Sequence, residues 1–254
     1  MRDYRALFPN SFTMGNVLCG FISILSALEG NVMTAAWLIV LGAFLDSLDG
    51  SIARLSGSTS HFGVELDSLA DFLTFGAATG VLLHAVAFIE FGRWGWIVPG
   101  VFVMAAGFRL ARYNLMARHE EKKKFVGMPV PVASMLLVSY VIFSNEIWGA
   151  VQYERFLITM VAGVSALMVS GVTYENFPAN FGGIENKLKF FLLFVFLIAL
   201  IVFDPRIVMF PAILAYVLIC LIRDMTMMLK NSNRLTVGEV SKDSGGIEDD
   251  KGDD

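Results

Sequence analysis

The chain has 254 residues, of which 56% are hydrophobic and only 17% are charged, and its net charge is −4. This composition is too apolar for a soluble domain of the same length and gives no basis for a nucleic-acid partner. It predicts an all-α fold, a polytopic integral membrane helical bundle, because helices satisfy their own backbone hydrogen bonds in lipid.

Apolar runs of roughly 20 residues, the length that a membrane-spanning helix needs, recur along nearly the whole chain. The N-terminal residues lead into the first run without a small-residue cleavage pattern, so we expect a retained helix rather than a signal peptide. We predict about eight spans, at residues 12–29, 33–55, 66–91, 94–116, 129–148, 156–172, 188–203 and 207–225.

Basic residues predict the orientation of these spans. They concentrate at the N-terminus and in alternate loops, at Arg2, Arg5, Arg54, Arg118, Lys122, Lys123, Lys124 and Lys187. We therefore expect a multi-pass protein of the cell membrane with both termini in the cytoplasm. After residue 230 the chain becomes acidic and loses large apolar side chains. This change predicts a transmembrane domain at residues 1–230 and a disordered cytoplasmic tail at residues 231–254.

Polar side chains interrupt the second span near its predicted cytoplasmic end. Asp46, Asp49, Gly50 and Ala53 occupy relative positions 0, 3, 4 and 7, which lie on one face of a helix. That face carries two carboxylates beside two residues small enough to leave room for a ligand. For Gly50 and Ala53 taken alone, close helix packing is the alternative explanation.

Two more carboxylates, Asp67 and Asp71, are four residues apart and share a face of the third span. The connecting segment, residues 54–66, contains Gly, Ser and Thr and predicts a loop that turns the two helices antiparallel. The four carboxylates then converge, although each costs about 2.5–3.5 kcal/mol in the membrane. A divalent cation compensates this cost, and carboxylates without nearby His or Cys ligands favour Mg²⁺ or Mn²⁺.

The acidic stretch matches a known signature. Its fixed residues and gaps are Asp46-x-x-Asp49-Gly50-x-x-Ala53-Arg54, eight residues, Gly63, three residues, Asp67, three residues, Asp71. This pattern resembles the signature of the CDP-alcohol phosphotransferases. The segments FPNSFTMGNVLCGFISI, ELDSLADFLTFG, FRLARYN and FVGMPVPVAS further resemble the integral-membrane class of phosphatidylserine synthases. One departure follows the fourth aspartate, where that class usually has FG followed by a proline and FGAATG has Thr79 without it.

The resemblance implies a fold and a reaction. The fold is a six-helix core, here with two further spans, and the functional unit is a homodimer. The reaction transfers a phosphatidyl group from CDP-diacylglycerol, or from the archaeal CDP-archaeol equivalent, to the hydroxyl group of L-serine and releases CMP. Attack on a diphosphate requires charge neutralisation, which Mg²⁺ or Mn²⁺ held by carboxylates provides. Residues 1–230 would then be the catalytic domain, with its active site at the cytoplasmic surface among membrane lipids.

The resemblance also implies roles for individual residues. The metal ligands would be Asp46, Asp49, Asp67 and Asp71, and Asp71 is also the candidate general base. The cytidine and its phosphates would lie near Gly50, Ala53, Arg54, Gly63, Ser58, Thr59, Ser60, Thr13 and Asn16. The lipid phosphate or the serine carboxylate would bind Arg109, Arg112 and Asn114, since guanidinium groups bind both anions.

Three alternatives stay open from the sequence. The acceptor alcohol could be glycerol phosphate, an inositol phosphate or choline, although the scarcity of basic residues favours a small zwitterion such as serine. The arginines of the fourth span could simply extend to the interface and anchor the helix. In a different class, intramembrane aspartates also build cation transporters, but those sites more often lie at the membrane midplane.

Overall fold

The computed structural model describes residues 7–56, 61–118, 127–152, 154–170 and 204–243. Within these ranges the chain is helical and contains no strand, which confirms the all-α class. The α-helices are α1 (Leu7–Leu28), α2 (Val32–Ser56), α3 (His61–Asp71), α4 (Thr79–Leu83), α5 (Ile97–Arg118), α6 (Val130–Trp148), α7 (Glu154–Val169) and α8 (Pro205–Asp243). Wider π-helical turns at Phe72–Ala78 and His84–Phe88 and a 3-10 turn at Ile89–Trp94 continue α3 and α4.

Five helical stretches in the described part of the chain are long and apolar enough to cross a membrane. They are Ser11–Leu28, Val32–Gly50, Phe62–Trp94, Val130–Trp148 and Pro205–Arg223. These stretches match the first, second, third, fifth and eighth predicted spans, and the protein is therefore membrane-embedded.

The other three predicted spans are not confirmed as membrane-crossing helices. The fourth corresponds to α5, which is 22 residues long but carries Arg109, Arg112 and Arg118, whose charges lower its hydropathy. The sixth corresponds to α7, which has 16 residues and is short for a full span. The seventh, residues 188–203, lies outside the described residues.

Helices α1 and α2 form an antiparallel hairpin. Gly30 adopts φ +81° at the turn, a conformation that favours glycine, and the Asn31 amide donates to the Ser26 carbonyl at 2.8 Å. Farther along the hairpin, the buried Ser23 hydroxyl donates to the Ala35 carbonyl at 2.8 Å. This pairing brings the start of α1 beside the end of α2, where the aspartates lie.

Two glycines allow the first three helices to approach closely. A Cβ at Gly20 would lie 3.0 Å from Cα of Thr74, in the π-helical turn that follows α3. A Cβ at Gly42 would lie 2.8 Å from the side-chain oxygen of Asn16. A side chain at either position would force its neighbour to move, so both glycines help to set how closely α1 packs against its two neighbours.

Helix α6 supplies much of the buried core and packs against α2, α7 and the π-helical turn at Phe72–Ala78. Its residues Leu137 and Val138 are fully buried, together with Phe75 of that turn. Pro129 precedes the helix in an extended conformation, and Gly149 ends it with φ 72°. The bounds of this helix agree with the fifth predicted span.

The predicted loop at residues 54–66 is wrong at both ends. Helix α2 continues to Ser56 and α3 begins at His61, so Gly63 lies in a helix rather than in a loop. Phe62, Leu66 and Leu69 recur at spacings of four and three residues, so a helical hydrophobic pattern extends to the start of α3 and outweighs the turn preference of Gly63. Only residues 57–60 are left outside the description.

The chain divides into two compact units, Met1–Leu214 and Ala215–Asp254. The described part of the second unit is the continuation of α8, which extends to Asp243. Helix therefore covers the first part of the predicted disordered tail, and residues 244–254 lie outside the description. The division into a domain at 1–230 and a tail stays a prediction.

Candidate active site

Three carboxylates converge where α2 meets α3. Asp46 and Asp49 project from one face of α2, and Asp67 projects from α3. One oxygen from each of the three lies within 4.8 Å of the others, and Asp49 is only 5% exposed. The spacing of these aspartates in the sequence predicted this convergence.

Asp71 lies beside this cluster, on the same face of α3 as Asp67 and next to Asp46. Its Oδ1 atom is buried and has no hydrogen-bond partner among the described residues. A buried carboxylate oxygen is costly unless something satisfies it. The three clustered carboxylates form an all-oxygen donor set that suits Mg²⁺ or Mn²⁺ rather than zinc or copper.

Thr13 connects α1 to the cluster. Its Oγ1 donates to Oδ2 of Asp49 at 2.9 Å, and both side chains are buried. The hydroxyl thus orients a carboxylate, which is the role that outer partners of metal ligands usually have. The prediction that Thr13 contacts the nucleotide stays a prediction.

Asn16 lies one turn farther along α1, below Thr13. Its side chain is fully buried, and neither atom of its amide group has a hydrogen-bond partner among the described residues. Its backbone carbonyl accepts a hydrogen bond from Thr74 Oγ1 at 3.0 Å. The structure therefore places Asn16 beneath the cluster, and its predicted contact with the nucleotide is untested.

Arg109 on α5 faces Asp71. Its side chain is 7% exposed, its guanidinium lies 5.3 Å from the ring centroid of Tyr113, and it interacts electrostatically with Asp71. The Nε atom is buried and has no hydrogen-bond partner in the described part of the protein. A buried, incompletely paired guanidinium beside the carboxylates suits the binding of an anionic group better than interfacial anchoring does.

Arg112 has a different environment. Its guanidinium donates to the backbone carbonyls of Val169 at 3.0 Å, Ser170 at 3.3 Å and Met168 at 3.4 Å, where α7 ends. A cation at a helix C-terminus satisfies the last carbonyls and complements the helix dipole. The structure thus gives Arg112 a capping role, and its predicted contact with lipid phosphate or serine is untested.

Asn114 also contacts protein. Its Nδ2 is 3.0 Å and its Oδ1 3.2 Å from the hydroxyl of Ser68, which follows Asp67 on α3. The pair links α5 to α3 beside the carboxylate cluster. This contact helps to orient α3. The predicted ligand-binding role of Asn114 stays a prediction.

The remaining predicted nucleotide contacts are only partly described. Gly50 is half-buried on the second-last turn of α2, and Gly63 is half-buried on the first turn of α3. Ala53 and Arg54 lie on the last turn of α2, but their side chains are outside the description. Ser58, Thr59 and Ser60 lie outside the described residues altogether.

Sequence reasoning missed four residues that support the site. They are Gly20, Gly42, Thr74 and Ser68, which permit or make the contacts described above. Gly42 precedes Asp46 by four residues and shares its helix face, so helical spacing was a usable signal. Thr74 likewise follows Asp71 by three residues, whereas Ser68 gave no such signal, because its partner Asn114 comes from a distant part of the chain.

The geometry defines a membrane protein whose carboxylate cluster lies at the junction of three helices, and the family comparison agrees with it. The family model described as CDP-alcohol phosphatidyltransferase matches residues 6–169. This range contains all four aspartates as well as Arg109 and Arg112 of α5. The chain belongs to the CDP-alcohol phosphatidyltransferase family.

Several curated relatives are similar over most of the chain. The CDP-diacylglycerol–serine O-phosphatidyltransferase of Helicobacter pylori is 33% identical over 225 residues, covering 88% of this chain and 93% of the relative. The enzyme of the same name from Bacillus subtilis is 34% identical over 68% of this chain and 92% of its own. An archaetidylserine synthase of Methanothermobacter thermautotrophicus is 33% identical over 66% of this chain and 69% of its own.

Proposed function

We propose that this chain transfers a phosphatidyl group from CDP-diacylglycerol to L-serine and releases CMP. The observation that carries the proposal is the cluster of Asp46, Asp49 and Asp67 with the unpartnered buried oxygen of Asp71 beside it. The names of the relatives from Helicobacter, Bacillus and Methanothermobacter support serine as the acceptor.

The cluster holds one or two divalent cations, Mg²⁺ or Mn²⁺, through Asp46, Asp49, Asp67 and Asp71. When bound, such a cation neutralises negative charge on the diphosphate and on the departing CMP. Asp49 is held in position by Thr13, so its carboxylate enters the reaction already oriented. The cytidine lies over the small residues Gly50, Ala53 and Gly63.

Asp71 removes the proton from the serine hydroxyl. The serine oxygen forms a bond to the phosphorus of the phosphatidyl group, and the bond from that phosphorus to the CMP oxygen breaks. The buried Oδ1 of Asp71 has no partner among the described residues, so it is available to accept a hydrogen bond from the incoming hydroxyl. CMP leaves with the bridging oxygen, and the proton stays on Asp71 until solvent removes it.

Arg109 binds the acceptor carboxylate. It is buried, it faces Asp71, and its Nε has no described partner, so a serine carboxylate placed there would bring the serine hydroxyl toward the base. Choline has no anionic group and would gain nothing from this contact.

The experiment is measurement of CMP release by purified protein with CDP-diacylglycerol, Mn²⁺ and one acceptor at a time. We expect release with serine, none after chelation, and a loss of at least ~10²-fold in Asp71→Asn. Glu90→Gln is the matched control, because Glu90 is exposed and lies at the far end of the third span. If CMP is released with glycerol phosphate, inositol phosphate or choline but not with serine, that alcohol and not serine is the acceptor.

The finer architecture belongs to the same proposal. We infer eight spans, a homodimer, and an active site on the cytoplasmic side of the cell membrane together with both termini. The asymmetry of basic residues between alternate loops supports this orientation. Labelling of single cysteines placed at the two chain ends, in intact and opened cells, tests it.

A further inference from the structure

A groove lies between the first turns of α2, the last turns of α6 and the start of α8, away from the carboxylate cluster. Its volume is about 530 Å³, and Trp37, Leu38, Ile142, Asn145, Glu146 and Arg206 contribute to its lining. Trp37 precedes Asp46 by nine residues, about 13 Å along the helix. The groove therefore lies along the first half of α2, and the carboxylates lie in its second half.

The lining changes from polar to apolar along the groove. Asn145 and Glu146 lie in the last turn of α6, and Arg206 is the second residue of α8. Trp37 and Ile142 lie one to two turns deeper in their helices, toward the bundle centre. Polar groups at helix ends lie at the membrane–water interface, and apolar groups below them lie in hydrocarbon. A phospholipid has this same order, with a polar head above apolar chains.

The polar end of the groove carries both signs of charge. Arg206 Nη1 lies 3.2 Å from Oε2 of Glu146 and 3.4 Å from Oε1, and both side chains are exposed. The other guanidinium nitrogens of Arg206 have no hydrogen-bond partner among the described residues, so they are available to bind an anion. Glu146 accepts only from this one nitrogen in the described part of the chain, so it can accept further hydrogen bonds.

We propose that this groove binds a membrane phospholipid whose head group combines a phosphate with a primary ammonium. The Arg206 guanidinium takes the phosphate, the Glu146 carboxylate accepts from the ammonium, and one acyl chain lies against Trp37, Leu38 and Ile142. A quaternary ammonium has no N–H to donate to Glu146, and the head group of phosphatidylglycerol has no ammonium. The site therefore discriminates among lipids by head-group chemistry.

The test uses Trp37 as the probe in full-length protein carrying Trp94→Phe, Trp96→Phe and Trp148→Phe. The protein is placed in phosphatidylcholine vesicles that contain small fractions of phosphatidylethanolamine, phosphatidylcholine or phosphatidylglycerol with brominated chains, which quench tryptophan fluorescence on contact. We expect the ethanolamine lipid to quench at the lowest fraction. Arg206→Gln or Glu146→Gln should raise that fraction about tenfold, as loss of one charge-assisted hydrogen bond predicts.

Arg155→Gln is the matched control, because Arg155 is exposed near the start of α7 and is absent from the groove lining. It should leave quenching unchanged. Equal quenching by the three lipids, or selectivity that survives both groove substitutions, would overturn the proposal. Absence of quenching by every lipid would do the same, since protein would then cover Trp37. Native mass spectrometry checks the result without the tryptophan substitutions. It counts the ethanolamine lipids bound to the unaltered protein and to Arg206→Gln, and we expect fewer on Arg206→Gln.

Discussion

The hydroxyl of Thr13 donates a hydrogen bond to the Asp49 carboxylate across the α1–α2 hairpin, at 2.9 Å and out of contact with solvent. A residue near the start of the described chain thus fixes the orientation of a carboxylate 36 positions later. The first helix therefore supports the carboxylate cluster directly.

Removal of this hydroxyl should weaken metal binding. We expect Thr13→Val to raise the Mn²⁺ concentration needed for half-maximal CMP release about tenfold, because outer partners of metal ligands typically contribute ~10–100-fold in affinity. Thr13→Ser retains the hydroxyl and should stay close to the unaltered protein. A metal titration that is unchanged in Thr13→Val would show that Asp49 does not depend on this bond.

The close approach of α1 to the π-helical turn should make Gly20 intolerant of a side chain. Gly20→Ala places a Cβ against Cα of Thr74, and we expect a destabilisation of about 1–3 kcal/mol, typical of overpacking. Gly163→Ala is the matched helix control, since a Cβ there meets no described atom within 4 Å and alanine favours helix. Thermal unfolding in detergent measures both, and equal midpoints would contradict the packing argument.

Substitutions of Arg109 and Arg112 on α5 should give different phenotypes. Arg112→Ala removes the cation from the end of α7, so we expect lower thermal stability and faster hydrogen exchange at residues 165–170. Arg109→Ala should leave that exchange unchanged and raise the KM for serine. If Arg112→Ala instead raises the KM for CDP-diacylglycerol at unchanged stability, its main role is to bind the lipid phosphate.

Substitutions at Thr79 and Ser134 should have strongly coupled effects on the free energy of unfolding. Their hydroxyl oxygens are 2.6 Å apart, and both side chains are fully buried. Thr79→Val or Ser134→Ala alone leaves a buried hydroxyl with a lost partner, which we expect to cost about 1–3 kcal/mol, whereas the double substitution should cost less than the sum. Additive unfolding free energies in this double-mutant cycle would mean that the hydroxyl contact contributes nothing.

The convergence of the aspartates was predictable because spacings of three and four residues place side chains on one helix face whatever surrounds the helix. The partners of Arg112 were not predictable in this way, because they are backbone carbonyls some 56 positions away and carry no sequence signal. The depth of Asn16 was equally hidden, since it follows from the close approach that Gly42 allows. The predicted fourth span was not confirmed, because Arg109 lowers the hydropathy of α5 although this side chain is buried within the bundle.

The π-helical turn at Phe72–Ala78 has a consequence for how sequences of this kind can change. In a π-helix each hydrogen bond closes over five residues instead of four, so the helix there holds one residue more than α-helical geometry needs. Deletion of a single residue between 72 and 78 would leave a continuous helix with regular α-helical hydrogen bonds. In an ordinary α-helix such a deletion would turn everything after it by about a quarter turn, but here the loss of the wide turn offsets most of that rotation. The wide turn therefore lets the number of residues in this segment differ by one without turning the rest of the span far from the face that carries Asp67 and Asp71.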